Sequence, residues 1–367
     1  MEHADIAIIG AGPAGLATAI HLGQLGVGRV VLLDRQDFPR DKTCGSGVSP
    51  KGVEVLKILG VGEAVAAEAY MIRGLRLVTP RGHDAVLSGH TDAALICCRR
   101  ILDHLLLQRA LTLGARFLPR FDARFLLQQG DRVMGCRAAD GREVRAKLTV
   151  IADGAHSRLA PERGPRRLIQ AIMGWWDRVP FRPQHIEMVF DRLVSPYYGW
   201  LFPEGPSRVN IGICYSDPGL EKNARALFQA FLDKHYARRL SGAQPSGGWR
   251  GHPISYSARI EKLTSPGRIT VGEAGRLTHP ATAEGIYQAM SSGMRAAEAL
   301  RDILTGDVTE DVSMRRYEAA CRGAFARSFA GAALWRGLVA SGGLDIVGGA
   351  LALPPMQRLL ARGLAQM

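Results

Sequence analysis

The composition indicates a globular protein with about two domains. The chain has 367 residues, 47% of them hydrophobic, which is enough to bury a substantial core. Lysine and arginine exceed aspartate and glutamate by 47 − 34 = 13, but only seven of the basic residues are lysine and they form no long run, which argues against nucleic-acid binding and leaves an anionic substrate, lipid surface or carrier protein open.

Cysteine usage and hydropathy predict a cytoplasmic protein. The six cysteines form no C-x-x-C pair and no regular framework, so we expect reduced thiols, no disulfides and no metal site. Asp5 opens the first predicted strand almost at once, which leaves no room for a secretory signal. No uncharged apolar run reaches the roughly 18 residues that a membrane-spanning helix needs.

The first 34 residues carry the strongest motif. An apolar run at 6–9 breaks into the turn G-A-G-P-A-G at 10–15, a helical pattern follows, and a second apolar run at 30–33 ends at Asp34. In dinucleotide-binding folds the first glycine allows the tight turn, the second lets the backbone approach a pyrophosphate, and the third lets helix pack on strand. An acid about 20 residues further on binds a ribose. Asp34 lies 19 residues past Gly15, so this stretch predicts a dinucleotide-binding fold.

The following segments mix helices with short hairpins. Residues 38–50 form a long polar loop that contains Cys44 and Gly45, and loops of this kind often carry sites. The predicted elements after it are a helix at 51–59, a hairpin at 75–79 and 85–87, an amphipathic helix at 99–113, a hairpin at 121–128 and 132–138, and an apolar strand at 148–152. Arg99 and Asp103 share the polar face of the second helix.

A second domain is predicted from four strand-like segments at the spacing of an antiparallel sheet. These segments are 168–176, 185–190, 197–202 and 208–215, and a helix at 220–235 follows them. The chain then returns to a short apolar strand at 268–271. A glycine- and proline-rich loop at 272–284 leads into a helix that starts near Ile286.

Three further motifs, in their proper order, make this sequence resemble the geranylgeranyl reductase family of FAD-dependent oxidoreductases. Residues 150–157, V-I-A-D-G-A-H-S, look like the DG motif of flavoprotein hydroxylases and their relatives. Residues 272–275, G-E-A-G, with E-G-I at 284–286, resemble their second FAD-contacting motif. The pattern Y-x-W-x-F-P at 198–203, followed by eight residues and then Gly212, is similar to the family's substrate-pocket motif. Cys44-Gly45 stands where the family has a cysteine-glycine loop.

The resemblance covers residues 1 to about 303 and implies a fold. That fold is α/β, with a Rossmann-like FAD-binding domain of the p-hydroxybenzoate hydroxylase or glutathione reductase type, an interleaved antiparallel β-sheet substrate domain and a helical C-terminal segment. The implied boundaries are 1–70, 91–160 and 260–305 for the FAD-binding domain, 71–90 and 161–259 for the substrate domain, and 306–367 for the C-terminal segment. The cofactor implied is non-covalent FAD.

The resemblance also implies a set of site residues. Gly10, Gly12, Gly15 and Asp34 would hold the ADP half of FAD, and Arg99 would approach the cofactor. Asp153 would lie near the pyrophosphate and Glu273 beside the ribityl chain. The remaining cofactor-binding candidates are Pro13, Ala14, Arg35, Cys44, Gly45, Gly154, Gly272, Gly285 and Ile286. The candidates for the substrate pocket are Tyr198, Trp200, Phe202, Pro203, Gly212 and Cys214.

Three residues are candidates for catalysis, each with a plainer alternative. Cys44 is a proton donor, a contact beside the flavin, or a small buried residue. Arg276 adds to the charge at the helix N-terminus near residue 284, which favours negative charge on reduced flavin, or it is a solvated surface arginine. His279 is a general acid or a structural loop histidine. The family usually has aspartate at the position of Glu273, a small residue at Arg276 and glycine at Cys214, so the region near the flavin ring and the pocket departs from the pattern.

Three classes of function remain open at this point. The first is a reductase that moves a hydride from NAD(P)H through FAD to a carbon-carbon double bond of an isoprenoid or other hydrophobic substrate. The second is a monooxygenase or halogenase-like oxidant acting on an aromatic, peptidyl or carrier-bound substrate, because the fold supports both. The third is a non-catalytic protein that binds prenylated partners, and the intact FAD motifs argue against it.

The C-terminal part leaves a further question. Residues 324–367 alternate apolar patches with arginines, which is typical of a helix lying on the inner face of an anionic membrane or of a lid over the pocket.

Overall fold

The computed structural model describes residues 2–88, 93–161, 167–216 and 223–350, and the side chains up to residue 346. The helices are α1 (Pro13–Gln24), α2 (Pro50–Ile58), α3 (Gly62–Glu68), α4 (Arg99–Thr112), α5 (Ala224–His235), α6 (Ala237–Leu240), α7 (Ile286–Thr305), α8 (Glu310–Ala340) and α9 (Gly343–Ala350). The first strands are β1 (Glu2–Ile9), β2 (Val30–Leu33), β3 (Gly47–Val48), β4 (Tyr70–Ile72), β5 (Gly74–Val78), β6 (Asp84–Ser88), β7 (Ala94–Ile96), β8 (Arg116–Leu118), β9 (Ala123–Gln129), β10 (Arg132–Ala138) and β11 (Glu143–Ile151). The remaining strands are β12 (Arg167–Asp177), β13 (His185–Val189), β14 (Gly199–Pro203), β15 (Arg208–Tyr215), β16 (Gln244–Pro245), β17 (Arg250–Tyr256), β18 (Thr264–Ser265) and β19 (Arg268–Thr270).

The first sheet has the strand order β18-β19-β11-β1-β2-β8, and β10 and β9 extend it from β11 as the predicted hairpin. Its five central strands, β19 to β8, run parallel. β1 and β2 are apolar runs buried on both faces, as expected for strands in a parallel sheet covered on both sides. The glycine turn follows β1, the middle strand, so its open end lies at the carboxyl edge of this sheet.

Helix α1 packs closely on the first sheet and on α7 and α4. A Cβ atom at Gly15 would lie 2.0 Å from the Gly10 carbonyl oxygen, and one at Gly293 in α7 would lie 2.4 Å from the Ala14 carbonyl oxygen. Both distances are far below van der Waals contact, so only glycine permits this approach. The apolar residues Leu16, Ile20 and Leu300 complete the packing.

The second sheet has the order β16-β12-β15-β14-β13-β5-β6, with β17 on the free side of β12. The four predicted strands at 168–215 are β12 to β15, and the predicted hairpin at 75–87 pairs as β5 and β6. Helix α5 covers one face through Phe228 and Phe231. A Cβ atom at Gly199 would lie 2.0 Å from the Phe231 ring, so the helix rests directly on β14. The other face of the sheet is left to line a cleft.

The C-terminal helices cross from one sheet to the other. Phe325 and Phe329 of α8 belong to the core of the first sheet, whereas Trp335 and Val339 pack with Tyr198 of the second. Helix α9 is held to the β5–β6 turn because Asp345 accepts a hydrogen bond from the backbone N–H of Arg81 at 2.9 Å. Part of the predicted amphipathic segment, 351–367, lies outside the described residues. Within the described part of the chain, no helix is long and apolar enough to cross a membrane.

Candidate active site

A cleft of about 600 Å3 lies between the two sheets. The predicted residues that line it are Gly10, Gly12, Pro13, Ala14, Asp34, Arg35, Cys44, Gly45, Arg99, Asp153, Gly154, Tyr198, Trp200, Phe202, Cys214, Glu273, Gly285 and Ile286. The predicted residues outside the lining are Gly15, Pro203, Gly212, Gly272, Arg276 and His279. The fold therefore brings the dinucleotide motifs and the pocket motif to one continuous space.

The glycine turn forms the polar end of the cleft. Gly10 has φ +106°, and a Cβ atom there would lie 2.3 Å from the Ala152 carbonyl oxygen. At Gly12 a Cβ atom would meet only the tip of Arg99, at 3.8 Å. Helix α1 begins at Pro13 without a side-chain cap, so its N-terminal N–H groups and positive dipole end are free of internal side-chain acceptors. The space beside Gly12 fits a pyrophosphate, as the motif predicts.

Asp34 lies at the end of β2 next to this turn. Its Oδ2 accepts a hydrogen bond from the Ala11 N–H at 2.9 Å, and its Oδ1 accepts one from the Gln36 N–H at 2.9 Å. Arg40 lies 3.8 Å from Oδ2. The carboxylate is thus fixed at the cleft wall with acceptor capacity remaining on each oxygen, which suits a ribose hydroxyl.

Arg99, at the start of α4, forms a bidentate ion pair with Asp103. Its Nε and Nη2 donate to the two carboxylate oxygens of Asp103, each at 2.7 Å, and Arg40 lies 3.1 Å from the same carboxylate. Burial lowers the pKa of Arg99, but the Asp103 carboxylate outweighs that effect and the pKa is raised above its usual range. The guanidinium also contacts the Cys44 thiol. Arg99 is therefore a permanently charged group that joins the cysteine loop to the polar end.

A second basic group lies across the cleft from the glycine turn. Lys42 Nζ donates to His252 Nε2 at 2.6 Å, and His252 packs edge-on against His156. Burial lowers the pKa of Lys42 to about 8, against the opposing pull of Glu273. Burial and the Lys42 charge lower the pKa of His252 to about 3, so its imidazole is neutral at pH 7. Glu273 is fixed by the Ser255 N–H at 3.0 Å, and burial raises its pKa.

The apolar arm of the cleft is lined by Tyr198, immediately before β14, and by alternate residues of β14 itself. Tyr198, Trp200 and Phe202 form a continuous row of rings at centroid distances of 6.3 and 5.9 Å. Trp200 donates to Asn210 Oδ1 at 2.7 Å, which fixes the indole. A Cβ atom at Gly45 would lie 3.3 Å from the Phe202 ring, so the cysteine loop rests directly on this row.

Three further predicted residues pack next to the cleft wall without lining the cleft. A Cβ atom at Gly212 would lie 2.2 Å from the Trp200 indole, so Gly212 makes room for that ring without lining the cleft. Pro203 ends β14 and pairs with Val209. Gly272, with φ +58°, brings a tight turn against Ala14 and likewise stays behind the wall.

Arg276 and His279, two of the three predicted catalytic residues, lie outside the lining of the cleft. Arg276 ends a 3-10 turn at Gly272–Gly275 in the left-handed conformation, with φ +57°, and this turns its side chain to Glu261 at 3.2 Å. The carboxylate of Glu261 neutralises the charge that was expected near the flavin. Arg276 is not a solvated surface residue either, because its side chain is only 12% exposed.

His279 organises the loop before α7 instead. Its Nδ1 accepts hydrogen bonds from the backbone N–H groups of Ala281 at 3.3 Å and Thr282 at 3.1 Å. Its ring meets Phe329 of α8 edge-on, and burial lowers its pKa to about 4. The imidazole is therefore neutral at pH 7, fully buried and outside the lining of the cleft.

Several cleft residues were absent from the predicted set. Lys42, His156, His252 and Glu284 supply charge and hydrogen-bonding capacity, and a group of apolar residues on the second sheet completes the arm: Leu75, Ala171, Met173, Ile186, Met188 and Ile254. Period-two alternation on β12 and β13 could have identified four members of the apolar group, since Ala171 and Met173, like Ile186 and Met188, lie two residues apart on one face. No local pattern marks Lys42 or His252, because their pairing joins residues 210 positions apart.

The parallel sheet, glycine turn and two-sheet cleft define an α/β flavoprotein of the p-hydroxybenzoate hydroxylase type. The chain belongs to the family described as FAD binding domain, whose model matches residues 3–197, and it is an FAD-dependent oxidoreductase. The predicted fold class and the recognised likeness to the geranylgeranyl reductase family are both confirmed.

Two relatives named as reductases are similar to most of this chain. A menaquinone reductase of Mycobacterium tuberculosis is 29% identical over 320 residues, covering 82% of this chain and 77% of the relative. Digeranylgeranylglycerophospholipid reductase 1 of Methanopyrus kandleri is 28% identical over 334 residues, covering 86% of this chain and 84% of the relative.

Solved structures share the fold as well. A geranylgeranyl bacteriochlorophyll reductase-like protein from Thermoplasma acidophilum has a TM-score of 0.86 at 22% identity, covering 96% of this chain and 92% of its own. The flavin-dependent brominase Bmp2 has a TM-score of 0.83 at 20% identity, covering 99% of this chain and 94% of its own. Reductases and an oxidant therefore share this architecture, and the fold alone does not choose between them.

Proposed function

We propose that this flavoprotein reduces a carbon-carbon double bond of a hydrophobic, isoprenoid-bearing substrate. The observation that carries the proposal is the apolar arm: its aromatic row and aliphatic wall run without interruption into the cysteine loop and the polar end of the cleft. Such a space suits an unfunctionalised hydrocarbon chain better than a polar aromatic. The relatives named as reductases of menaquinone and of a digeranylgeranyl lipid support the same choice.

The residues of the polar end fit FAD in an extended pose. The Gly12 backbone and the α1 N-terminus would receive the pyrophosphate, Asp34 the adenosine ribose, and Glu273 the ribityl chain. Arg99 and Lys42 would balance the phosphate charge. FAD supplies the hydride when it is bound and reduced. This chain's own residues orient the alkene, exclude water through the aromatic row, and provide a proton to the second carbon.

Cys44 is proposed as a contact between cofactor and substrate. Its thiol accepts a hydrogen bond from the Ser46 N–H at 3.3 Å and touches Arg99, and the loop around it rests on Phe202. These contacts hold the loop at the junction of the two arms. A residue there sets the distance between the alkene and the cofactor.

NAD(P)H is proposed as the electron donor. An anionic nucleotide would be attracted to the cleft by the basic residues in its lining, which include Arg35, Lys42 and Arg99. Stopped-flow mixing of oxidised enzyme with NADPH or NADH tests this, since bleaching of the flavin absorbance reports reduction directly. If neither nucleotide reduces the flavin while dithionite still does, the assignment of NAD(P)H as electron donor fails and the rest of the proposed function is unaffected.

Peripheral contact with an anionic membrane is proposed for the end of α8 and for α9. Leu334 and Ile346 are 79% and 80% exposed, and the charged residues between 328 and 346, Arg336 and Asp345, are turned to internal partners. Arg322 and Arg327, which are exposed, lie earlier in α8. An apolar face with a basic rim beside the substrate pocket suits an acidic lipid surface.

Vesicle sedimentation tests the membrane contact. Leu334→Glu with Ile346→Glu should abolish binding to phosphatidylglycerol vesicles, whereas Ile58→Glu, an exposed apolar residue of α2, should not. Equal binding by all three proteins would contradict the assignment of this face.

Product mass tests the proposed reaction. The purified protein is incubated with NADPH and a menaquinone or a digeranylgeranyl phospholipid, with and without oxygen. The proposal expects a product two mass units heavier under both conditions. A product sixteen units heavier that forms only with oxygen would identify an oxygenase instead.

A further inference from the structure

Residues 276–283, the wall loop, connect the two parts of the second FAD motif and form one wall of the cleft. Thr278, Thr282 and Ala283 of this loop line the cleft. Arg276 at φ +57° and Ala283 at φ +56° adopt the left-handed conformation, which is unfavourable for residues other than glycine. Such a backbone persists only when the surrounding structure holds it. The contacts of the wall loop with its neighbours therefore determine the shape of this wall.

The two halves of the wall loop are held by two different tyrosines of the second sheet. At the end of β17, Tyr256 forms an isolated β-bridge with Thr278 in the first half. From the segment just before β14, the Tyr197 hydroxyl donates a hydrogen bond to the Pro280 carbonyl in the second half, at 3.3 Å. Tyr197 and Tyr256 lie outside the cleft lining, so they support the wall from behind.

Arg336 of α8 joins these two tyrosines. Its Nη1 donates to the Tyr256 hydroxyl at 2.9 Å and to the Tyr197 hydroxyl at 3.3 Å, and its guanidinium carbon lies 5.6 Å from the centroid of the Tyr256 ring. Burial raises the pKa of Tyr197, so its hydroxyl stays protonated at pH 7. A protonated hydroxyl accepts from Arg336 and donates to Pro280 at the same time. A continuous hydrogen-bonded path therefore leads from α8 to the wall loop.

The contacts of Arg336 differ from those of an ordinary structural ion pair. A buried or half-buried guanidinium usually pairs with a carboxylate, whose geometry it matches. Among the described residues, no carboxylate pairs with Arg336, and its Nε is shielded from solvent without a hydrogen-bond partner. The guanidinium is instead directed at the two hydroxyls that hold the wall loop.

We propose that Arg336 is a positioning residue for the flavin end of the cofactor site. By fixing Tyr197 and Tyr256 together, it holds both halves of the wall loop in one arrangement. Helix α7 starts soon after this loop without a side-chain cap, so the loop also sets where the positive end of that helix faces the cleft. Arg336 lies outside the cleft lining and acts through the loop. The inference needs FAD in the cleft but not a particular substrate.

The test measures two properties of the FAD-loaded protein that require no substrate. One is the FAD dissociation constant, from the fluorescence of flavin released on dilution. The other is the midpoint potential of the flavin, from anaerobic reduction in equilibrium with a dye. Arg336→Met keeps the apolar stem and removes the donors. The dissociation constant should rise about tenfold, as for one lost hydrogen bond from a charged group. The potential should become more negative, because a displaced helix terminus stabilises the reduced, anionic flavin less.

Further variants separate the relay from general packing. Tyr197→Phe removes the hydroxyl between Arg336 and Pro280, so it should reproduce both effects, and the double variant should be no worse than either single variant. Tyr256→Phe should have a smaller effect, because its β-bridge to the wall loop is made by the backbone. Arg316→Met, at an exposed arginine nearer the start of α8, should match the wild type.

Three results would overturn the role of Arg336. These are unchanged FAD affinity and potential in Arg336→Met, effects of Arg336→Met and Tyr197→Phe that simply add, and a lower melting temperature with an unchanged potential, which would assign Arg336 to the packing of α8. Arg336→Lys keeps the charge but lacks the planar fork, so both quantities should shift less; this variant is measured instead if the methionine variant does not fold. A wild type that reduces no lipid would overturn the proposed function and leave these two measurements unaffected.

Discussion

The two arms of the cleft are constructed in different ways. The polar end is made of backbone: two glycines, a helix N-terminus and an acid at the end of a strand create the space. The apolar arm is made of side chains that project from several strands and are fixed by contacts between residues far apart in the chain. The first arm should therefore respond to substitution by losing the cofactor outright, and the second by graded changes in substrate binding.

The largest expected effect is at the glycine turn. Gly12→Val should abolish FAD binding, because the new side chain would fill the space left for the pyrophosphate. The fold should survive, since a Cβ atom at Gly12 meets only the tip of Arg99 at 3.8 Å. Flavin absorbance after purification and a thermal melt of the apoprotein measure both effects.

Gly15→Val is the matched comparison within the same turn. Its Cβ atom would lie 2.0 Å from the Gly10 carbonyl oxygen, so this variant should fail to fold rather than lose only its cofactor. A Gly12→Val protein that retains full flavin, or a Gly15→Val protein that melts like the wild type, would contradict the assignment of the polar end.

A smaller effect is expected in the apolar arm. Gly212→Ala should displace the Trp200 indole and raise KM for the lipid by about tenfold, equivalent to roughly 1.4 kcal/mol. FAD affinity should not change. Gly205→Ala is the control, because a Cβ atom there meets nothing within 4 Å. An unchanged KM in the first variant would mean that the indole does not shape the substrate site.

FAD affinity should depend on pH through Lys42. Its ammonium is charged below about pH 8 in the empty cleft, so the anionic cofactor should bind most tightly below that pH. Affinity should fall by about tenfold as the pH rises from 8 to 9.5. The neighbouring Arg99 keeps its charge across this window, because the Asp103 carboxylate raises its pKa. Lys42→Met should bind FAD more weakly at pH 7 and show a flat profile, as measured by quenching of flavin fluorescence; a sloping profile would contradict the role of Lys42.

The smallest effect is expected at Cys44. Cys44→Ala should lower the rate of lipid reduction by about fivefold, the equivalent of one lost contact of about 1 kcal/mol. Cys44→Ser should lie between that variant and the wild type. A hundredfold loss of the half-reaction rate in Cys44→Ala would instead make the thiol the proton donor.

The difference between the arms also explains what the sequence could predict. The glycine turn, Asp34 and the alternating row at 198–202 follow from local sequence spacing. Their place in one cleft could therefore be predicted from the sequence. Arg276 and His279 lie outside the cleft lining, and this placement was not predictable because it depends on a left-handed backbone at Arg276 and on the hydrogen-bonded turn around His279. Lys42 and His252 were missed because their pairing depends on packing between residues 210 positions apart in the chain.

The measurement that tests the central claim most directly is the mass of the lipid product from a single anaerobic turnover. Enzyme reduced with one equivalent of dithionite is mixed with the prenyl lipid in D2O and quenched after the flavin has reoxidised. With the enzyme also reduced in D2O, the account predicts a product with one reduced double bond that carries one solvent deuterium on each of the two carbons, formed without oxygen, because dithionite supplies only electrons. Flavin that stays reduced until oxygen is admitted, followed by a product that carries an added oxygen atom, would contradict it.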